Sequence, residues 1–138
     1  MRDPEQVRII RLRKGKVDRL KFLCDKALDD LVKDYPETVV KTFFKQEQEA
    51  KALDQPTPFL NQLSVIKGKS KEALQQTILY NSAVYSTVSG LYTACQQVVL
   101  DKITATKNED LEVLNVDHEW YTIVGISFMR LQGLGPAS

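Results

Sequence analysis

From Ala73 to Leu100 the chain carries no Asp, Glu, Lys, Arg or His, a run of 28 residues. No other stretch restricts the fold as much. Leu74, Ile78, Asn81, Tyr85, Val88, Tyr92, Cys95 and Val99 recur within it at spacings of four and three, close to the 3.5-residue period of a coiled coil. A helix over about 71–104 is therefore expected, roughly 50 Å long at 1.5 Å per residue. A compact globule of this chain length is only about 30 Å across. The helix must project, bend at Gly90, or belong to an elongated fold. Asn81 lies in the seam, where a polar side chain fixes register and oligomer number. A surface helix normally turns a charged face to water; this one offers Gln, Ser, Thr and Tyr, which implies protein on most sides of it. The run is long enough to span a bilayer, but Gln75, Gln76, Asn81, Gln96 and Gln97 interrupt the apolar stretch that spanning needs, so no membrane insertion is expected.

The flanking segments read as shorter helices. Val17, Leu20, Cys24, Leu28 and Leu31 form an apolar stripe over 17–34, with Asp and Lys on the other faces. Tyr35-Pro36 ends it, because the residue before a proline avoids helical torsions. Pro36 suits the first turn of a second helix, on which Val39, Phe43, Gln46, Ala50 and Leu53 share one face. Thr57-Pro58 signals a third helix, with an N-cap residue followed by proline. Gly68 ends that helix in the left-handed conformation, and Ser70 caps the long fourth helix. A short helix is expected over Glu109–Asn115.

The termini read differently. Val7, Ile9 and Ile10 alternate with Arg8, Arg11 and Arg13, which predicts an edge strand over 6–13. Residues 2–16 hold six basic and two acidic side chains, a local charge of +4 against −3 for the remainder. Residues 120–128 are rich in aromatic and β-branched side chains and predict a second strand, with Gly125 as a bulge. The expected organisation is a single domain of mainly α class, an elongated helical bundle or hairpin with short terminal β-strands. It comprises a basic arm at 1–16, a helical module at 17–116, a strand at 117–129 and a flexible tail at 130–138.

Catalytic signatures are not evident. The glycines are scattered rather than gathered into a phosphate-binding loop. Asp117-His118-Glu119 is the one His–carboxylate cluster, and consecutive side chains do not converge on one point. Neither a metal nor a cofactor is expected. Cys24 and Cys95 fall on apolar helix faces and read as reduced packing residues of a protein made in the cytosol; with an acidic, proline-containing start, no secretion signal is expected. Tyr80, Tyr85, Tyr92 and Trp120 do not make a base-stacking platform, because the helix beneath them has no basic funnel.

Tyr35-Pro36, Phe43-x-x-Gln46-x-x-Glu49-Ala50, Thr57-Pro58-x-Leu60, Ser70-x-x-x-Leu74 and the long helix ending in Ile103 and Leu111 together resemble a helical module of tailed-bacteriophage tail-fibre and tail-assembly proteins. The likeness covers about residues 35–116, and Phe43 stands where that module typically has Trp. It implies a non-enzymatic virion protein of the tail, made in the bacterial host cytoplasm, that joins or attaches fibre, baseplate or tail-tube components.

The expected partners are other copies of the chain, packed along the 74–99 seam, and tail proteins docking on Arg8, Arg11, Arg13, Trp120 and Tyr121 of the terminal strands. A cytosolic chaperone of tail-fibre assembly is the first alternative. The second is a small nucleic-acid-binding regulator using Arg8, Arg11, Arg13, Lys14 and Lys16. The sequence also predicts that Glu49 folds back onto the free N–H groups at the start of the third helix, where a carboxylate is favoured.

Overall fold

The computed structural model describes residues 3–35 and 37–133. The order of elements is α1 (Pro4–Val32), α2 (Glu37–Ala50), α3 (Pro58–Lys67), α4 (Lys71–Ala105), a 3-10 helix (Asn108–Val113) and α5 (Val116–Leu131). The fold is mainly α, and both expected strands are helices. No described helix is long and apolar enough to cross a membrane. The chain divides into two compact units. One is formed by the segments up to Asp29 and from Ser89 onward, the other by Asp30–Val88; the divisions fall inside α1 and α4.

The first correction is at the N-terminus. Asp3 accepts the backbone N–H of Glu5 on its side chain at 2.9 Å, Pro4 follows at the first helical position, and Glu5 pairs with Arg8 one turn on. These are helix-start features, and they outweigh the β-branched residues. The apolar stripe of 17–34 continues back through Arg13, which takes the place of an apolar side chain for a specific reason. Its guanidinium donates to the carbonyls of Ile103 and Thr106 and to Asn108 Oδ1. A helix end leaves carbonyls without intrahelical donors, and a cation is favoured there; Arg13 closes the end of α4.

The second correction is at the C-terminus. Asn115 accepts the His118 N–H at 3.0 Å as an N-cap, and Asp117 and Glu119 lie in the first turn of α5. Residues 117–129 therefore wind as helix, and α5 runs into the expected flexible tail as far as Leu131. Residues 134–138 of that tail, Pro36, and Met1 and Arg2 of the basic arm lie outside the described residues. The expected Glu109–Asn115 helix is the 3-10 segment, whose Leu111 is fully buried.

In the unit containing both termini, Leu20, Leu23 and Cys24 of α1 pack with Cys95, Val99 and Ile103 of α4 and with Val116 and Trp120 of α5. Tyr92 stacks on Trp120 with ring centroids 6.1 Å apart and meets Phe128 edge-on at 5.8 Å. Burial of each large apolar side chain here is worth about 1.5–3 kcal/mol. Arg19 ties α1 to α5 through two bonds to Asp117 at 2.8 and 2.6 Å. Cys24 and Cys95 are free thiols; burial, then the charge of Asp25, pushes the Cys24 thiol up from its ordinary value.

In the 30–88 unit the core is Ala50, Leu60 and Leu74, flanked by Leu53, Leu63, Ile78 and Leu79. Gly68 ends α3 at φ +66°, and Ser70 Oγ accepts the Ala73 N–H at 3.1 Å to start α4. α4 then continues without interruption through Gly90.

Candidate docking groove

The residues of the quoted motif hold α2, α3 and α4 of the 30–88 unit together. Glu49 is 6% exposed. Its carboxylate accepts the Leu60 N–H at 3.0 Å and the Phe59 N–H at 3.3 Å. The contact expected from the sequence is thus present. Thr57 occupies the N-cap position but makes no side-chain cap bond; its hydroxyl donates to Asn61 Oδ1 and accepts from Lys71. The carboxylate of Glu49 does the capping from a different helix. Pro58 has no N–H to be satisfied, which leaves the next two N–H groups for Glu49. Ala50, with no exposed surface, allows close approach, and its carbonyl accepts from Gln75 of α4 at 2.7 Å. Gln46 is half-buried and donates to Thr42 on its own helix at 2.9 Å.

Above this staple α2 and α4 leave a groove of about 190 Å³, lined by Phe43, Phe44, Gln46, Glu47, Ile78, Asn81, Ser82, Tyr85 and Ser86. Tyr35 meets the Phe43 ring edge-on at 5.5 Å, and Phe43 tilts against Tyr85 at 6.3 Å. The groove joins two sets of residues that the sequence presented separately: Phe43 and Gln46 of the motif, and Ile78, Asn81 and Tyr85 of the seam. Its one ionised side chain is Glu47. The Lys51 ammonium, and after it the Ser82 hydroxyl, holds the Glu47 carboxyl below the ordinary carboxylate value. Phe44 is 78% exposed and Tyr85 40%. Sequence reasoning missed Phe44, Glu47, Ser82 and Ser86. The adjacent pair Phe43-Phe44 was the available signal, because successive residues on a helix point about 100° apart and both rings cannot enter one core.

The remaining seam residues have intrachain roles. Leu74 is in the core of the 30–88 unit, Cys95 and Val99 are in the core of the other, Tyr92 packs on Trp120, and Val88 is half-buried. Protein therefore covers one flank of the charge-free run, while Tyr80, Val84, Tyr85 and Val98 stay open.

The expected docking residues separate as well. Trp120 is 2% exposed and belongs to the core, because its helix turns it inward. Tyr121, the next residue, is 61% exposed. Arg8 is paired with Glu5 and approaches Glu112 at 3.9 Å, Arg13 closes α4, and Arg11 is exposed. Lys14 pairs with Asp18, and Lys16 donates to the Leu114 carbonyl. Of these five basic side chains, two pair with carboxylates and two donate to carbonyls of their own unit. Around exposed His118, Asp117 is bound by Arg19 and Glu119 by Lys102, so the two carboxylates diverge. Among the described residues no group of three or more His, Cys, Asp or Glu is placed to hold a metal ion.

No protein-family model, curated protein or solved structure gives a significant match to this chain.

Proposed function

We propose that the chain is a non-enzymatic structural protein of a bacteriophage tail, joining or attaching fibre or baseplate components, with the α2–α4 groove as its docking face. The observation that carries this reading is the open aromatic lining of the groove: Phe44 and Tyr85 stand in solvent beside Phe43 and Ile78. An apolar recess edged by exposed rings is a typical protein-contact surface. Its volume lies below the roughly 300 Å³ at which small-molecule sites begin, so it suits inserted side chains better than a cofactor. The motif resembling the tail module supports the same reading, because Glu49, Ala50 and Leu60 build the staple on which the groove rests.

Mass spectrometry of purified virions tests the proposal. The chain recovered in tails at a fixed ratio to a fibre or baseplate protein is the expected result. Its absence from virions, with recovery on unassembled fibre protein in the lysate, identifies the assembly chaperone instead. Absence from both refutes a tail role.

A further inference from the structure

We infer that the groove seats an arginine side chain of the docking partner, with its guanidinium held between the aromatic lining and the Glu47 carboxylate. The inference rests on the groove being a docking face and adds the chemistry of what docks. Three observations lead to a guanidinium. The first is charge. Glu47 is the one ionised side chain among the lining residues. The Ser82 hydroxyl of α4 bonds to its carboxylate, which therefore reaches across the groove toward α4. Lys51, the cation that pairs with Glu47, is not a lining residue. Its side chain is 64% exposed against 28% for Glu47, and the two form an i,i+4 surface pair, a contact of small net worth. A carboxylate offers about four acceptor sites, which Lys51 and Ser82 do not exhaust.

The second is the set of rings around that carboxylate. Phe43 and Phe44 precede Glu47 by four residues and by three, so Glu47 lies between them on the face of α2. Tyr85 of α4 meets Phe43 at 6.3 Å. Ring faces attract cations. An acidic side chain is repelled here, and a purely apolar one takes water from the carboxylate and returns no donor. The third is a precedent in the other unit of the same chain. The Arg19 guanidinium lies 5.1 Å from the centre of the Phe22 ring while donating two bonds to Asp117. A guanidinium does both because it is planar, forked and weakly hydrated, which an ammonium is not. The groove repeats the pairing of ring and carboxylate, and its lining contains no arginine. A recess of about 190 Å³ takes one long side chain, whose methylene stem rests on Phe43 and Ile78.

NMR amide-shift titration of the full chain with n-butylguanidinium, n-butylammonium, n-butanol and pentanoate, at constant ionic strength, tests this. Butylguanidinium is expected to saturate in the millimolar range, with shifts centred on Glu47, Ser82 and Tyr85. It is expected to bind at least about threefold more tightly than butylammonium and about tenfold more tightly than butanol, with pentanoate not binding. Glu47→Gln is expected to bring butylguanidinium down to the level of butanol. Phe44→Leu, which keeps an apolar side chain and removes the ring, is expected to weaken it about threefold. Lys51→Gln removes the competing cation and is expected to tighten it about twofold. All three variants are expected to keep the wild-type helical circular-dichroism spectrum, because none of these side chains belongs to a core cluster. No saturation up to about 50 mM, shifts centred away from the groove, butanol binding as tightly, or an unchanged affinity in Glu47→Gln overturns the inference; butylammonium binding as tightly overturns the assignment to arginine. A chain found in tails without this selectivity loses the arginine and keeps the proposed function; a selective chain absent from virions and fibres does the reverse.

Discussion

Replacing Glu49 isolates how much of the 30–88 unit depends on one carboxylate. Its two bonds differ in quality. The Leu60 N–H lies 3.0 Å away and is buried, and the Phe59 N–H lies 3.3 Å away. A bond to a charged acceptor contributes about 1.5–3 kcal/mol, and a long one less. The negative charge at the α3 N-terminus adds up to about 1 kcal/mol. Glu49→Ala removes both acceptors and leaves a buried N–H without a partner, for an expected loss of about 3 kcal/mol. Glu49→Gln keeps the shape and one neutral acceptor but turns an amide NH₂ toward one of the two N–H groups, for a loss of about 1–2 kcal/mol. Urea unfolding at neutral pH, followed by circular dichroism, reads both values from the midpoint shift at constant slope. The order wild type, Gln, Ala is as important as the size. If Glu49→Gln matches wild type within about 0.5 kcal/mol, the charge contributes nothing and one neutral acceptor at this position is enough to hold the start of α3. If Gln and Ala are equal, the neutral acceptor kept by Gln contributes nothing and the ionised carboxylate carries the whole effect.

Three further outcomes follow from the packing. Leu111→Ala empties a fully buried site in the 3-10 segment and is expected to lower stability by about 2–5 kcal/mol in urea unfolding; a loss below about 1 kcal/mol means the site collapses around the smaller side chain. Gly90 is interior to α4 with nothing within 4 Å of an added Cβ, whereas Gly68 has φ +66°. Gly90→Ala is therefore expected to stabilise by about 0.5–1 kcal/mol and Gly68→Ala to destabilise by about 1–2 kcal/mol, and equal signs in thermal unfolding refute the assignment of the two conformations. The Arg19 guanidinium holds the Asp117 carboxyl below its ordinary value. A group with a depressed folded-state pKa contributes stability above its unfolded value, about 3.9, and loses it as pH falls through the folded one. An NMR titration is expected to place Asp117 below the usual aspartate midpoint in wild type and back near it in Arg19→Gln.

The helices that the sequence announced are those in which periodicity and end signals agree. Thr57-Pro58, Gly68 and Ser70 bracket α3 and open α4 within the expected boundaries; the caps at Gly68 and Ser70 are local, whereas at Thr57-Pro58 the boundary was legible but the cap bonds come from Glu49 of α2. The two misread segments had the same kind of end signal. Asp3-Pro4-Glu5 repeats the cap-then-proline pattern of Thr57-Pro58, and Asn115 followed by Asp117 and Glu119 marks a helix start. Alternating β-branched residues pointed toward strand in both places, but strand preference reflects fit to a neighbouring pleated surface more than an intrinsic backbone preference. No such surface exists among the described residues.

What no local pattern contains is the use to which Arg13 is put. At the stripe position where an apolar residue is expected, it reads as a solvated charge on an edge strand. Only when the end of α4 is brought beside α1 do the carbonyls of Ile103 and Thr106 supply its acceptors. The groove is hidden for a related reason. The heptad spacing marks Leu74, Ile78, Asn81, Tyr85, Cys95 and Val99 as equivalent, but the partners that distinguish them lie far away in sequence. Leu20 and Trp120 bury one end of the series, and Leu60 and Ala50 bury the other. Asn81 and Tyr85 fall where Phe43 and Phe44 of α2 stand beside them, and there the series opens to solvent. A spacing rule identifies the face of a helix; which turns of that face remain available to another chain is decided by long-range packing.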